Sequence, residues 1–292
     1  MGENLAKEAS IPSHHSITMS MKEFRNFSKL IEGACGIRMP EIKKHMLESR
    51  LRKRLRSLGM YSFQDYFDFL MSPEGRKTEM VPMIDVVTTN KTDFFREPAH
   101  FSYLTEKVLP ELLPSMTSNR VRIWSAGCSS GEEPYTLAMV LSDYARNRDF
   151  FSFSILATDI CTDVLETAHK GVYEEEKIVP VPHEMRKRYL LRSKDRNRRL
   201  VRIAPELRSL ITFRRLNFLD SVYDVRDRMD IIFCRNVLIY FDKKTQEKVL
   251  NGFCRHLQPG GHLFLGHSET LNGLDVPLAQ VNSTIYRKPE HP

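Results

Sequence analysis

From residue 120 onward, short apolar runs alternate with amphipathic stretches: 121–124, 154–157, 212–216, 231–234 and 262–265 are strand-like, and 133–146, 163–169 and 243–257 carry helical spacing. Strands apolar along their whole length must be buried on both faces, and strands joined through helix-length connections pair in parallel. The pattern therefore predicts an α/β domain, a doubly wound Rossmann-like sheet covered by helices. One stretch breaks the rhythm. Between the second and third strands, 189–192 and 200–203 flank a highly polar loop, which predicts a helix and a small antiparallel β insert over about 185–210.

Residues 20–88 read differently, as an N-terminal all-α domain. Ser20 and Glu23 have capping-box spacing, and Phe24, Phe27, Leu30 and Ile31 repeat at helical intervals until Gly33 and Gly36, so a first helix is expected over 21–34. A second runs from near Pro40 to Gly59 on a stripe of Leu47, Leu51, Leu55 and Leu58, with Arg52, Lys53 and Arg56 on its other side. Ser62 caps a third that faces Phe63, Tyr66, Phe67 and Leu70 inward and stops at Pro73; a fourth is expected over 76–87 despite Pro82. Residues 1–19 lack periodicity and read as a flexible tail, 89–119 as a linker, and 120–292 as the main domain.

Composition narrows the class. At 41% hydrophobic residues the chain of 292 can build real cores. No apolar run approaches the roughly 18–20 residues that span a bilayer, and the first 20 residues lack a secretory block, so a cytoplasmic protein without stable membrane insertion is expected. Five scattered cysteines with no CxxC pair argue for buried thiols rather than disulfides or structural zinc. His14, His15, His100, His262 and His267 form no metal constellation on this reading, and no metal is expected. The net charge of +7 is concentrated: residues 43–56 hold seven Lys/Arg against one acid, and 186–208 hold ten against two. Two such patches suit acidic partners.

The chemistry gathers after the first strand, where 125–134 form a loop of small residues opening a helix. Its glycines would let a ligand approach the backbone. It is not the G-x-G-x-x-G fingerprint, and Glu132 and Glu133 at the helix start disfavour a pyrophosphate, whereas Glu133 suits a cation. Asp159 ends the second strand 28 residues after Gly131, where doubly wound folds place an acid for ribose hydroxyls; a helix-capping Asp is the alternative. Arg235 and Asn236 emerge at the carboxyl end of the next strand, the edge where ligands bind. Together these spacings resemble the class I methyltransferases that use S-adenosylmethionine, over residues 120–287.

Four blocks sharpen the resemblance: TTNKTDFFRE at 88–97, WSAGCSSGEEPY at 124–135, FCRNVLIYF at 233–241 and GHSE at 266–269. In this order, behind a helical domain and with a β insert, they resemble the chemotaxis receptor methyltransferase (CheR) family. The resemblance implies S-adenosylmethionine as cofactor, S-adenosylhomocysteine as product, and as substrate a glutamate on the cytoplasmic helices of a chemoreceptor. It further implies cofactor contacts from Asn90, Thr92, Arg96, Glu133, Asp159, Asn217, Phe218, Arg235 and Asn236. Arg96 and Tyr240 are the candidate catalytic residues, Arg96 orienting the incoming carboxylate and Tyr240 lining its path. Arg52, Lys53 and Arg56 are candidates for docking the acidic receptor helix by salt-sensitive attraction. In part of the family the insert grips a receptor's C-terminal peptide through a glycine-containing turn; here 193–199 lacks glycine and is strongly basic, so that role stays open.

A glutamate with a reference pKa near 4.3 is ionised at neutral pH, so the reaction asks for alignment rather than a general base. Two other functions fit parts of the pattern. A nucleic-acid methyltransferase would explain the basic patches, but the strand end lacks the Asn-Pro-Pro-aromatic pattern and no RNA-binding signature occurs, so no nucleic-acid partner is expected. The other is a non-catalytic cofactor-binding signalling protein that has lost transfer activity, since fold alone does not guarantee chemistry; the motif-matched ligand residues stand intact, which favours the enzyme.

Overall fold

The architecture is that of a computed structural model, which describes residues 17–116, 120–146, 148, 151–195 and 197–290. The chain divides into two compact units: the described residues up to Ala34 with Arg38–Thr88, and Cys35–Ile37 with Thr89 onward.

The first unit is helical: α1 (Met21–Cys35), α2 (Lys44–Leu58, entered through a 3-10 turn at Glu41–Lys43), α3 (Phe63–Met71), α4 (Pro73–Thr78) and α5 (Met80–Val87). Ser20 and Glu23 form the capping box, each side chain accepting the other's backbone N–H. Phe27 is fully buried, its ring edge-on to Phe63 and Phe67 and stacked on Tyr66. The expected fourth helix is two. Ser72 caps α4 with Pro73 at its first position, and Pro82 falls in the first turn of α5, where a missing N–H breaks no intrahelical bond.

Two buried carboxylates hold this unit. Glu79 accepts both arms of the Arg54 guanidinium at 2.7 Å and the Tyr66 hydroxyl at 2.8 Å. Glu48 accepts the Met19 backbone N–H at 3.1 Å and bonds with Lys44 and Arg52. The basic face of α2 is therefore smaller than its sequence suggests. Arg50 donates to the Val87 and Thr88 carbonyls at the end of α5, and Arg52 spends its guanidinium on Glu48 and the Ile17 carbonyl, leaving Lys53 and Arg56 exposed. The expected tail also ends earlier: Ile17 and Met19 are buried, and residues 1–16 lie outside the described residues.

In the second unit the linker is itself helical, with α6 (Ala99–Tyr103), a π turn (Leu104–Val108) and α7 (Leu109–Leu112). There follow β1 (Arg120–Ala126), α8 (Glu132–Ala145), β2 (Ser152–Asp159), α9 (Thr162–Lys170), β3 (Val172–Glu174), α10 (His183–Tyr189), β4 (Leu190–Arg192), β5 (Leu200–Ile203), α11 (Pro205–Arg208), β6 (Ile211–Arg215), β7 (Met229–Cys234), α12 (Lys243–His256), β8 (Leu257–Leu265), β9 (Ala279–Asn282) and β10 (Ile285–Arg287). The main sheet has the order β6-β2-β1-β7-β8-β10-β9, its first five strands parallel and the last two antiparallel. Apolar clusters fill both faces, one built on Ile123, Phe233 and Phe264, the other on Trp124, Ile232 and Leu263. The insert is an antiparallel sheet β3-β5-β4, one strand more than expected, and Arg196 in its turn lies outside the described residues. All five cysteines are buried free thiols, and no helix among the described residues is long and apolar enough to cross a membrane.

Removing buried Glu79 leaves the partly buried Arg54 guanidinium and the buried Tyr66 hydroxyl without their shared acceptor, so Glu79→Ala is expected to cost about 3 kcal/mol. Glu41→Ala, which removes an exposed partner of Arg25, should cost no more than about 1 kcal/mol. Urea unfolding of the two variants checks this; equal losses would show that the buried network does not hold the unit.

Candidate functional site

The carboxyl ends of β1, β2 and β7 meet residues 90–100 of the linker. After β1 the chain turns through Gly127 (φ 86°), Ser129 (φ 49°) and Gly131 (φ 97°) into α8. Packing by itself requires the two glycines: a Cβ on Gly127 would lie 2.4 Å from the Val237 side chain, and one on Gly131 2.9 Å from Ala168 and Tyr173. The loop is tied to β2, with the Gly127 and Cys128 N–H groups donating to the Thr158 carbonyl at 2.7 and 2.9 Å. Asp159, also buried, accepts from Ser129 N–H at 2.8 Å and Cys161 N–H at 3.0 Å. The Ser129 hydroxyl donates to the Asn90 carbonyl at 2.8 Å, which brings the linker to the same loop.

The linker then makes a strained turn. Phe95 (φ 54°) and Glu97 (φ 55°) both hold left-handed backbone, which costs a non-glycine residue roughly 1–2 kcal/mol each. What sustains it is Arg235. Its side chain, 2% exposed, lies with Nη2 3.2 Å from Glu97 Oε2 and Nη1 3.4 Å from Glu133 Oε2, donates to the Arg96 carbonyl, and stands 5.4 Å from the centre of the Phe101 ring. The Phe95 N–H adds a bond to Thr136 Oγ1 at 3.2 Å. Burial pushes the Glu133 carboxyl up, against the pull of Arg235 and the Ser125 hydroxyl. Burial also opposes ionisation of Glu97, but Arg235 and the nearby His267 outweigh it and hold Glu97 below the usual carboxylate range. Arg96, half-buried between the two strained residues, donates to the Lys91 carbonyl at 3.1 Å.

After β7, Asn236 is left-handed (φ 61°) and its side-chain amide reaches Glu97 Oε1 at 3.4 Å. The turn that follows, a 3-10 segment at Leu238–Tyr240, is anchored by one buried carboxylate. Glu269 accepts four backbone N–H bonds: Val237 (2.9 Å) and Leu238 (2.7 Å) on Oε1, Asn236 (2.8 Å) and Gly266 (2.6 Å) on Oε2.

The structure thus unites Asn90, Arg96, Glu133, Asp159, Arg235 and Asn236, with Thr92 half-buried on the same linker. Tyr240 is half-buried on the anchored turn. Asn217 turns the chain after β6, its side-chain oxygen accepting Leu219 N–H at 3.1 Å, and Phe218 is committed to the core, edge-on to Phe253. Glu97 and Glu269 carry no role in the sequence pattern, yet they hold the linker and the turn after β7. Two carboxylates at the start of α8 and one closing β2, with no phosphate loop, suit a cationic nucleoside better than a phosphorylated one.

A sequence model described as "CheR methyltransferase, SAM binding domain" matches residues 90–287, and one described as "CheR methyltransferase, all-alpha domain" matches residues 22–88. A chemotaxis protein methyltransferase of Borreliella burgdorferi is 39% identical over 94% of this chain and 96% of its own. A probable chemotaxis protein methyltransferase of Rhizobium etli is 40% identical over 84% of this chain and 91% of its own, and the chemotaxis protein methyltransferase of Escherichia coli is 38% identical over 92% of each.

In Glu269→Gln one oxygen that accepts two N–H groups becomes an NH2 facing them, which is expected to destabilise the second unit by about 3 kcal/mol. Urea unfolding followed by Trp124 fluorescence reads it. A change within about 0.5 kcal/mol, the range of an ordinary surface substitution, would contradict the anchoring role.

Proposed function

The chain belongs to the CheR methyltransferase family, a S-adenosylmethionine-dependent methyltransferase family of chemotaxis, and we propose that it esterifies glutamate side chains on the cytoplasmic helices of a chemoreceptor. The products would be glutamate methyl esters for sensory adaptation, and S-adenosylhomocysteine. The observation that carries the reading is Arg96. Its carbonyl is gripped by buried Arg235 on a strained turn, while its own guanidinium spends one bond on Lys91 and has donors left for a carboxylate.

The residues divide the work. Asn90, Thr92, Glu133, Asp159, Asn217, Phe218 and Asn236 would hold the cofactor, Asp159 from the carboxyl end of β2 and Phe218 through its backbone, since its ring is packed in the core. Arg235 serves that set from below, by fixing Glu133 and Glu97 rather than by reaching the ligand, since its side chain is 2% exposed. When bound, the cofactor supplies a methyl group on a sulfonium, so that the glutamate oxygen–methyl bond forms as the sulfur–methyl bond breaks and no proton moves. Arg96 orients the carboxylate by paired hydrogen bonds, and Tyr240 lines its path. The receptor's acidic helix would be drawn by Lys53 and Arg56 through long-range attraction, Arg52 being occupied. A second contact would come from the insert, where edge strand β4 exposes Leu191 to a receptor's C-terminal peptide. Such an enzyme works in the cytoplasm, at receptor arrays.

Incubation with methyl-labelled S-adenosylmethionine and receptor-bearing membranes should give label that alkali releases; alkali-stable label, or label in nucleic acid, would overturn the reading. Arg96→Ala is expected to lower turnover by about 100-fold or more, with cofactor affinity falling less. Reversing charge at Lys53 and Arg56 should raise the receptor KM several-fold at low salt, by about the amount expected of rim charges, and leave cofactor binding alone; an unchanged KM would remove this face from the account.

A further inference from the structure

Beside the site the structure gathers three metal-ligating side chains that lie far apart in the sequence. Glu97, His100 and His267 each bring one donor atom into a cluster whose members are all within 4.8 Å of one another. His100 Nδ1 is 3.5 Å from Glu97 Oε2, and His267 Nε2 is 3.9 Å from the same oxygen. Around a tetrahedral zinc ion with bonds of about 2.0 Å, ligand atoms stand roughly 3.3 Å apart, so closure asks for shifts that draw the donors, all within 4.8 Å of one another, together by up to about 1.5 Å. His267 has the freedom to supply them, since its side chain is 61% exposed.

An independent observation points the same way. His100 is 3% exposed, and its Nδ1 has no hydrogen-bond partner, an expensive state for a buried imidazole nitrogen. Its other nitrogen is 3.0 Å from Thr284 Oγ1. With Nε2 protonated and donating to that hydroxyl, Nδ1 turns a lone pair toward Glu97 and His267. This is the arrangement by which an outer partner fixes the tautomer of a metal-binding histidine. The ring is further held edge-on between Phe264 and His267, at 5.7 and 5.4 Å between centres.

We propose that Glu97, His100 and His267 form a binding site for a divalent transition metal of the zinc type, and that its occupancy slows methyl transfer. Two imidazoles and one carboxylate suit zinc, cobalt or nickel rather than magnesium or calcium. The inhibitory sense follows from Arg235, whose guanidinium lies 3.2 Å from the same Glu97 oxygen that the ion would take. A cation there competes for Glu97, loosens the grip on the Arg96 turn, and for the same reason binds less tightly than at a site without an arginine neighbour.

The test is zinc titration of the full-length chain by calorimetry, in a background carrying His14→Ala and His15→Ala so that the adjacent pair in the first 16 residues adds nothing. Cobalt absorption in the visible range reports coordination independently of activity. One saturable site is expected, with affinity lowered at least about 30-fold in His267→Ala and about 10-fold in Thr284→Val, whose hydroxyl only orients a ligand. Zinc should slow methyl transfer in the parent and do so far less in His267→Ala. Absence of saturable uptake, or uptake unchanged in His267→Ala because zinc sits on other surface histidines, would overturn the proposal.

Discussion

A buried guanidinium organises the second unit. Arg235 has left water almost completely, and an ion of that size loses several kcal/mol of solvation unless charge and hydrogen bonds replace it. Glu97 and Glu133 replace it from opposite sides, one from the linker and one from α8, and the Arg96 carbonyl takes a further N–H. The arrangement cannot form until linker, helix and strand end are together. Once formed, it holds Phe95 and Glu97 in left-handed backbone that neither would adopt alone, and so aims Arg96.

The same logic recurs with carboxylates. Asp159 clamps the β1–α8 loop to the turn before α9, and Glu269 gathers four backbone N–H groups from two loops. Acids of this kind sit where a ligand would be sought, and they bind backbone amides there. What they contribute is rigidity: Asn236 and Tyr240 lie on a turn whose amides converge on one buried charge.

Much of this was legible in the sequence where structure is local. Apolar runs marked the inner parallel strands because these have no polar face, edge strand β6 being largely exposed, and the S-x-x-E box and Ser62 marked helix starts through bonds spanning three residues. The misses are non-local or short. β3, β9 and β10 have only three or four residues, too few to show a period, and they are defined by partners elsewhere in the chain. The break between α4 and α5 depends on Ser72 capping a proline-started turn. Arg52 reads as a solvent-facing cation until Glu48 and the Ile17 carbonyl are seen beside it. The motif blocks carry Asn90, Glu133, Arg235 and Asn236, which the structure brings together, but they do not show the pairing of Glu97 with Arg235 across 138 positions, nor the convergence of His100 and His267.

The central claim is that Arg235 holds the linker turn in place. Amide hydrogen exchange in Arg235→Leu tests it most directly, because local opening can be told apart from global loss. The account expects exchange at Phe95 and at His267, whose N–H groups bond Thr136 and Glu97, to accelerate by roughly 100-fold, matching about 3 kcal/mol lost with a buried pair, while β1 and β2 keep their protection. Unchanged exchange at those two amides, or equal acceleration throughout the sheet, would contradict it.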